Sequence, residues 1–521
     1  MALVQSSVSS SALLDLKGDL SQVELICVYG IGDGAVYRHL RSWLQKQEQR
    51  FILFIEDDEE HFLKMKDASW AKDPKVRIFF YQEGDEELFK EIAWEFLFLK
   101  FGFFANPEYV EKKGEKMVEI FSKMEHYHRG IDLVASDFQD MGVAVLKNVM
   151  ENQKKLASSL LGQSLEGMCR QVPAIICGAG PSLNVQIPLL ASLQDRAMIF
   201  AGGSAVTALT KQGVSPHFCA HFDPNPPRDR FLQQDAAEIP HFYQSRFSSS
   251  LLNLVHGPLL WMAEGGNYPI EKWLKERYSI PYPTFDSGWT VANFCTAAAV
   301  LLGCNPIIFV GMEFSCQSDQ VYAAGMHADE HKEEFVEVQN AEGAKLFTKN
   351  DWMMSAEWQA ALAAQHPGIR FVNATPHGLT IPNTEAISLN EAANAYLQRQ
   401  HDLSGAVHAL MQRADGLQLQ EAAGQETVEM LIQSYKQCDK VCDALLKLWE
   451  KHYPKSPIEK GEYAAAEHDL EKEVAFQMIL EPLWQIWKRP ILRASNHPLG
   501  NHVHRLLFFK RAIEANLRAI S

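Results

Sequence analysis

The chain has 521 residues, of which 47% are hydrophobic and 22% are charged, as is typical of globular proteins. At roughly 100–200 residues per domain, this length predicts about three domains. The formal net charge of −16 argues against a general electrostatic attraction to nucleic acid or to an anionic membrane surface. The amino terminus lacks a basic leader followed by a sustained apolar stretch, and no membrane span is predicted.

The first region, residues 1–165, is predicted to be a Rossmann-like domain with a helical connector. V-E-L-I-C-V-Y, F-I-L-F-I-E and V-R-I-F-F-Y predict strands that alternate with helices, as in a parallel doubly wound sheet. The turn at Gly30 to Gly34 and the acid Glu56 are placed as in dinucleotide-binding folds. Because G-x-G-x-G departs from the G-x-G-x-x-G spacing, we favour a purely structural turn over a nucleotide or methyl-donor site. The aromatic stretch from Glu86 to Phe104 predicts a buried helix.

The second region, residues 166–400, is predicted to be a doubly wound α/β domain. Its A-I-I-C-G-A-G-P-S-L segment, Ala174 to Leu183, is an apolar strand that breaks into a glycine turn and resumes as a helix. Gly178 and Gly180 allow backbone to approach a ligand, and the helix start offers N–H groups and a positive dipole end. The turn is a candidate phosphate site, with a purely steric role of glycine as the alternative.

Further strands of this region also end in polar or glycine-containing loops. Gly203 and Ser204 follow A-M-I-F-A, Asp223 follows H-F-C-A-H-F, and Glu313 follows N-P-I-I-F-V-G-M. The carboxyl ends of parallel strands share the edge where ligands bind, so we expect these residues and Gly178 to converge. Ser204 and Asp223 are equally suited to helix caps or turns, a role compatible with ligand binding.

The third region, residues 401–521, is predicted to be a helical bundle, because helix formers dominate and apolar residues recur at helical spacing. A proline-containing break at Tyr453 to Ile458 is predicted to divide it. Cys438 and Cys442 are four residues apart on a predicted helix, where a core pair is favoured over a redox pair.

The nine cysteines include no C-x-x-C pair, and the histidines show no zinc-binding spacing, so no metal site is predicted. Cys27, Cys177, Cys219 and Cys295 lie within apolar runs and are predicted to be small core residues. This use of cysteine is typical of the reducing cytoplasm, where we expect the protein to be located.

The second region carries a series of motifs in a defined order: P-A-I-I-C-G-A-G-P-S-L, A-G-G-S-A-V-T-A-L, G-V-S-P-H-F-C-A-H-F-D-P, L-G-C-N-P-I-I-F-V-G-M-E-F and F-V-N-A-T-P-H-G-L-T-I-P-N-T. Together with V-Y-G-I-G-D-G in the first region, they resemble the motility accessory factor family. Members of this family are regarded as glycosyltransferases that place nonulosonic acids, which are sialic-acid-like sugars, on serine or threonine of flagellin. The middle domain is similar to bacterial sialyltransferases that use cytidine monophosphate (CMP) sugars.

The resemblance implies a CMP-sugar donor, a protein acceptor such as flagellin, and no required cofactor. The residues that it implies for donor binding are Gly178, Gly180, Ser182, Gly203 and Ser204, with Ser287 and Gly288 near the cytidine, and Asp223 at the same sheet edge is a further candidate. The candidate catalytic residues are Tyr322, as a hydrogen-bond donor to the departing phosphate, His327, as the general base, and Glu313. The alternative for His327 is a structural or solvated loop histidine.

The chain departs from the sialyltransferases in residues that matter for the reaction. Ala179 stands where they have an asparagine, and Ser315 follows Phe314 where they carry a phosphate-binding tyrosine. T-K-N-D-W, from Thr348 to Trp352, stands where they place their catalytic histidine. These departures leave open a different donor, a different base, or a chain that keeps the fold without the activity.

Two other functions are compatible with the sequence. A related archaeal branch transfers pyrophosphate from ATP to a hydroxymethylpterin, which would require Mg²⁺ near carboxylates such as Asp223 and Glu313. The other alternative is a non-catalytic nucleotide-binding or scaffold protein whose helical carboxyl-terminal region docks a partner. A homo-oligomer is compatible with each of these functions.

Overall fold

The structure is a computed structural model that describes residues 14–227, 234–263, 268–316, 335–340, 342–375, 377–452, 460–493 and 500–520. The chain forms two compact units, an amino-terminal unit that ends at Ser136 and a carboxyl-terminal unit that begins at Asp137. The domain boundaries near residues 165 and 400 stay predictions.

The amino-terminal unit is a Rossmann-like α/β fold. Its elements are β1 (Leu25–Tyr29), α1 (Ala35–Gln45), β2 (Phe51–Glu56), α2 (Glu59–Met65), β3 (Val76–Phe80), α3 (Glu87–Glu95), β4 (Phe101–Ala105), α4 (Pro107–Lys112) and the first part of α5 (Gly114–Leu156). The four strands are parallel and lie in the order β3-β2-β1-β4. Successive side chains of β1 enter two different apolar clusters, because helices cover both faces of the sheet.

The predicted helix from Glu86 to Phe104 is wrong in its second half. The helix α3 ends at Glu95, and the following aromatic residues form β4 instead. Between them the chain turns at Phe98, whose φ is +60° and whose N–H donates to Asp132 Oδ1 at 2.9 Å. A short apolar run does not distinguish a buried helix from a buried strand. For this reason the prediction extended the helix into the residues that form β4.

The carboxyl-terminal unit contains a large parallel sheet. Its elements up to residue 396 are β5 (Leu160–Leu161), β6 (Ala174–Cys177), α6 (Leu183–Ala191), β7 (Met198–Ala201), α7 (Ser204–Thr210), β8 (Phe218–His221), β9 (His241–Tyr243), α8 (Ser249–Leu252), β10 (Leu259–Trp261), α9 (Pro269–Arg277), α10 (Val291–Leu302), β11 (Ile307–Val310), β12 (Val336–Gln339), β13 (Lys345–Thr348), α11 (Asn350–Gln365), β14 (Phe371–Asn373), β15 (Glu385–Ala386) and α12 (Leu389–Tyr396). Strands β12 and β13 form a separate antiparallel pair.

The strand order of the large sheet is β15-β14-β11-β6-β7-β8-β9-β10-β5. From β6 the chain proceeds outward through β7 to β10 on one side, and β11 then pairs with the other side of β6. The strand order therefore reverses between β6 and β11. In open α/β sheets, ligands bind outside the carboxyl ends of the strands at such a reversal.

The rest of the carboxyl-terminal unit is helical, as predicted. Its helices are α13 (Leu403–Arg413), α14 (Glu421–His452), α15 (Lys460–Glu471), α16 (Glu481–Arg493) and α17 (Gly500–Ile520), with a short π-helix at Phe476–Leu480. α14 packs against α15 and α17, and Lys510 donates to Asp439 and Asp443 at 2.8 and 2.6 Å. The predicted fold class, a Rossmann-like domain, a doubly wound α/β domain and a helical bundle, is confirmed.

The cysteines are placed as the sequence predicts. All nine are free and buried, including Cys438 and Cys442 on α14. Among the described helices, none combines the length and the apolar character needed to cross a membrane.

Candidate functional site

A cavity of about 1020 Å³ lies at the carboxyl edge of the large sheet, where the strand order reverses. The residues that line it follow β6, β7, β8, β9 and β11, and others come from the start of α10 and of α11. Of the residues predicted from the sequence, the cavity brings together Gly178, Gly180, Gly203, Ser204, Asp223 and Glu313. The predicted convergence of these residues at one edge of the sheet is therefore seen in the structure.

Other predicted residues lie elsewhere. Ser182 is the N-cap residue of α6 and does not itself line the cavity. Ser287 is buried just before α10 and does not itself line the cavity, and Gly288 beside it has φ +66° and packs on Asn293. Tyr322 and His327 lie outside the described residues.

The glycine turn after β6 is shaped by the loop that follows β11. Gly178 N–H donates to Val310 O at 2.8 Å, and Gly180 N–H donates to Gly311 O at 2.9 Å. A Cβ at Gly178 would lie 2.4 Å from Gly311 O, and one at Gly180 would lie 1.7 Å from Glu313 Oε2. Both glycines are thus required sterically by the close approach of two loops, which was the alternative to phosphate binding.

Glu313 occupies the helix start where the sequence predicts a phosphate. Its Oε1 accepts the N–H of Ser182 at 2.7 Å, so a carboxylate of the chain itself lies at the positive end of the α6 dipole. Glu313 is 8% exposed, and its Oε2 has no hydrogen-bond partner among the described residues. Burial raises the pKa of the Glu313 carboxyl, and the contact with Ser182 offsets this only in part.

The start of α10 offers a second helix terminus at the cavity. Thr290, Val291 and Ala292 line the cavity. The capping box fixes this terminus: Thr290 Oγ1 accepts the N–H of Asn293 at 3.3 Å, and Asn293 Oδ1 accepts the N–H of Thr290 at 3.2 Å. Unlike the start of α6, this terminus borders the open volume of the cavity.

Arg246 is a functional candidate that the sequence analysis missed. It follows β9 and is the only Lys or Arg among the described residues that line the cavity. Its Nη2 donates to Asp137 Oδ1 and Oδ2 at 3.1 and 2.8 Å, and its guanidinium lies over the rings of Tyr268 and Phe222. The strand β9 has three residues, too few for its end to be recognised from the sequence, although Arg246 closely follows the apolar H-F-Y run.

Carboxylates outnumber cations on the described part of the cavity wall. Asp137, Asp223, Glu313 and Asp351 line it together with Arg246. A multiply charged anion would therefore need further positive charge, and a divalent cation with oxygen ligands is one chemical solution.

The glycine turn of the amino-terminal unit is packed by side chains of the chain itself. Glu56 accepts N–H groups from Ile31, Asp57 and Asp58 at 3.1, 3.1 and 3.0 Å, and the hydroxyl of Tyr109 at 2.7 Å. A Cβ at Gly30 would collide with the Tyr109 ring at 2.5 Å. Protein groups thus take the hydrogen bonds that a ribose would make, which supports the structural interpretation of this turn.

The fold and the cavity define an α/β protein with a large cavity at the carboxyl edge of a parallel sheet. A family model described as 6-hydroxymethylpterin diphosphokinase MptE-like matches residues 144–319, the segment that contains β6 to β11. A search of curated proteins found no match.

Among solved structures, the fold is similar to that of a MAf glycosyltransferase from Magnetospirillum magneticum AMB-1. The TM-score is 0.54 at 14% sequence identity, and the similarity covers 96% of this chain and 80% of that chain. At this identity the likeness concerns the fold. The resemblance to the motility accessory factor family that the motifs indicate is thus confirmed at the level of the fold.

Proposed function

We propose that the chain is a glycosyltransferase that moves a nonulosonic acid from its CMP-activated form to a serine or threonine hydroxyl of a protein such as flagellin. The observation that carries this proposal is the large cavity at the strand reversal, in a fold similar to the MAf glycosyltransferase over 96% of the chain. The free, buried cysteines support a reducing cytoplasm as the site of the reaction.

The anionic groups of the donor would lie between the start of α10 and Arg246. The α10 terminus provides partial positive charge, and the guanidinium provides a full charge with planar donors suited to a phosphate or carboxylate. Gly178, Gly180, Gly203 and Ser204 line the same cavity, and the nucleotide would pack against them. In this proposal the phosphate would lie at the start of α10, because Glu313 already lies at the start of α6.

The transfer breaks the bond between the sugar carbon and the phosphate oxygen of the donor and forms a bond from that carbon to the acceptor oxygen. The acceptor hydroxyl loses its proton to a general base, and CMP leaves as the anion. Among the described residues, Glu313 is the candidate base, because its unpartnered Oε2 is buried in the cavity wall and its raised pKa favours proton uptake. The roles of His327 as the base and of Tyr322 as a donor to the phosphate stay predictions.

Isothermal calorimetry with CMP tests the donor assignment. We expect saturable binding by the wild-type chain and a loss of affinity in Arg246→Gln, with near-ultraviolet circular dichroism to confirm that both are folded. A folded wild-type sample that binds no CMP at millimolar concentration would contradict the proposal.

A second candidate function is a 6-hydroxymethylpterin pyrophosphokinase. It is favoured by the excess of carboxylates on the cavity wall and by the family model that matches residues 144–319. The oxygens of Asp223 and Glu313 suit Mg²⁺, which would neutralise the phosphates of ATP. The hydroxymethyl oxygen would attack the β-phosphorus of ATP, giving the pterin diphosphate, AMP and a proton. AMP release in the presence of ATP, Mg²⁺ and a hydroxymethylpterin would establish this function in place of the first, and its absence would exclude it.

A further inference from the structure

Three potential metal ligands share one face of the large sheet beside the cavity. Cys219 and His221 are two residues apart on β8, so their side chains point to the same side of the strand. In the parallel register between β8 and β9, His241 lies directly opposite Cys219. The three ligand atoms lie within 4.8 Å of one another, and all three residues are buried.

The hydrogen bonds around the two histidines fix their tautomers. His241 Nε2 lies 2.8 Å from Ala236 O, and because a carbonyl only accepts, this nitrogen carries the proton. His241 Nδ1 is therefore the basic nitrogen, and it lies 2.9 Å from His221 Nε2. A histidine whose second nitrogen donates to a backbone carbonyl is the arrangement that orients metal-binding imidazoles in proteins.

A small cavity adjoins these side chains. Its volume is about 20 Å³, and its lining includes Cys219, His221 and His241 among otherwise apolar groups such as Val206 and Leu251. A single water needs roughly 10–15 Å³ measured in this way. There is thus space for one small ligand beside the three side chains.

We propose that Cys219 Sγ, His221 Nε2 and His241 Nδ1 bind a Zn²⁺ ion, with a water in the small cavity as the fourth ligand. One thiolate and two imidazoles are a borderline-soft set that suits zinc and not Mg²⁺ or Ca²⁺. On binding, the thiol proton of Cys219 is released to solvent, and the proton of His221 Nε2 moves to Nδ1. The two nitrogens separate from 2.9 Å to about 3.3 Å, as bonds of about 2.0–2.1 Å at a tetrahedral angle require.

The centre would stabilise the wall of the large cavity. His221 lines that cavity as well as the small one, and Asp223 follows it by two residues. Zinc would therefore tie the carboxyl end of β8 to β9 immediately behind the proposed donor site. The zinc site is independent of the reaction that takes place in the large cavity.

Metal content tests the proposal on the wild-type chain itself. The full chain, expressed in zinc-supplemented medium and freed of any affinity tag, is desalted and analysed by mass spectrometry for metals. We expect one zinc per chain, a lower thermal midpoint after removal of zinc by a chelator, and restoration by Zn²⁺ but not by Mg²⁺. Cobalt substitution should produce a near-ultraviolet band from thiolate-to-cobalt charge transfer.

Variants locate the site. Cys219→Ser should lose the cobalt band and His241→Gln should lose the zinc, whereas Cys177→Ser should keep both. Cys177 is the matched control, because it is a buried cysteine in the same apolar cluster as Cys219 but is not part of the ligand group. A folded wild-type chain without zinc and without a cobalt band would overturn the proposal. His221 and His241 would then be a buried, hydrogen-bonded pair with a structural role only. A cobalt band that persists in a folded Cys219→Ser variant would also overturn the proposal.

Discussion

At the scale of single residues, the cavity is shaped by the close contact between Gly180 and the Glu313 carboxylate. The glycine leaves room for a carboxylate, and that carboxylate takes the N–H of Ser182 that a ligand phosphate would otherwise accept. Glu313 therefore closes the start of α6, and its Oε2 is left without a hydrogen-bond partner among the described residues. The glycine turn that the sequence predicts to bind phosphate instead packs against an acidic side chain and donates a hydrogen bond to it.

Replacing Gly180 by alanine should displace Glu313. The new Cβ would overlap Oε2, so we expect a loss of about 1–3 kcal/mol in the free energy of unfolding, as for other overpacked sites. Chemical denaturation measures this loss. Gly368→Ala is the control, since no atom lies within 4 Å of a Cβ there, and its effect should stay within about 0.5 kcal/mol. Equal stability of the two variants would show that Glu313 moves without cost.

Replacing Arg246 and replacing Asp137 should change the affinity for CMP in opposite directions. Arg246→Gln removes the cation, and the loss of a charged hydrogen bond of about 1.5–3 kcal/mol should weaken CMP binding by roughly tenfold or more. Asp137→Asn removes the competing carboxylate, so affinity for CMP should rise while the chain loses stability. Calorimetry and denaturation separate the two effects. Unchanged CMP affinity in both variants would remove Arg246 from the site.

At the scale of elements, the sequence predicts strands that begin with a long apolar run and end in glycine or an acid. The strands β2, β6 and β11 and the convergence of Gly178, Asp223 and Glu313 follow from that pattern. Arg246 could not be predicted in the same way, because β9 is short and its position beside β8 comes from the sheet order. The group of Cys219, His221 and His241 was missed for the same reason. A search for metal ligands by their spacing along the sequence does not find residues that become neighbours only when two parallel strands pair.

The start of α10 is the element on which the proposed phosphate position depends. Thr290→Ala removes the reciprocal cap with Asn293 and should lower the free energy of unfolding by about 1 kcal/mol. It should also weaken CMP binding, because Thr290 lines the cavity. Ser388→Ala in α12 is the matched control, since it removes an equivalent capping box at a residue that does not line the cavity. If both variants bind CMP like the wild type, α10 does not hold the phosphate.

At the scale of the whole molecule, charge opposes the ligand that we propose. The net charge is −16, and the described cavity wall carries more carboxylates than cations, so the long-range field repels a nucleotide anion. Raising the ionic strength from about 0.01 to 0.15 M shortens the Debye length from about 30 to about 8 Å and screens this repulsion. The affinity for CMP, measured by calorimetry, should therefore rise with salt relative to that for cytidine, which is the same nucleoside without charge. If the ratio of the CMP affinity to the cytidine affinity falls as salt is added, the site attracts anions on balance. The positive charge would then come from residues other than the described ones. A ratio that rises only when Mg²⁺ replaces Na⁺ at equal ionic strength would assign the missing positive charge to a metal held by the carboxylates and would favour the pyrophosphokinase.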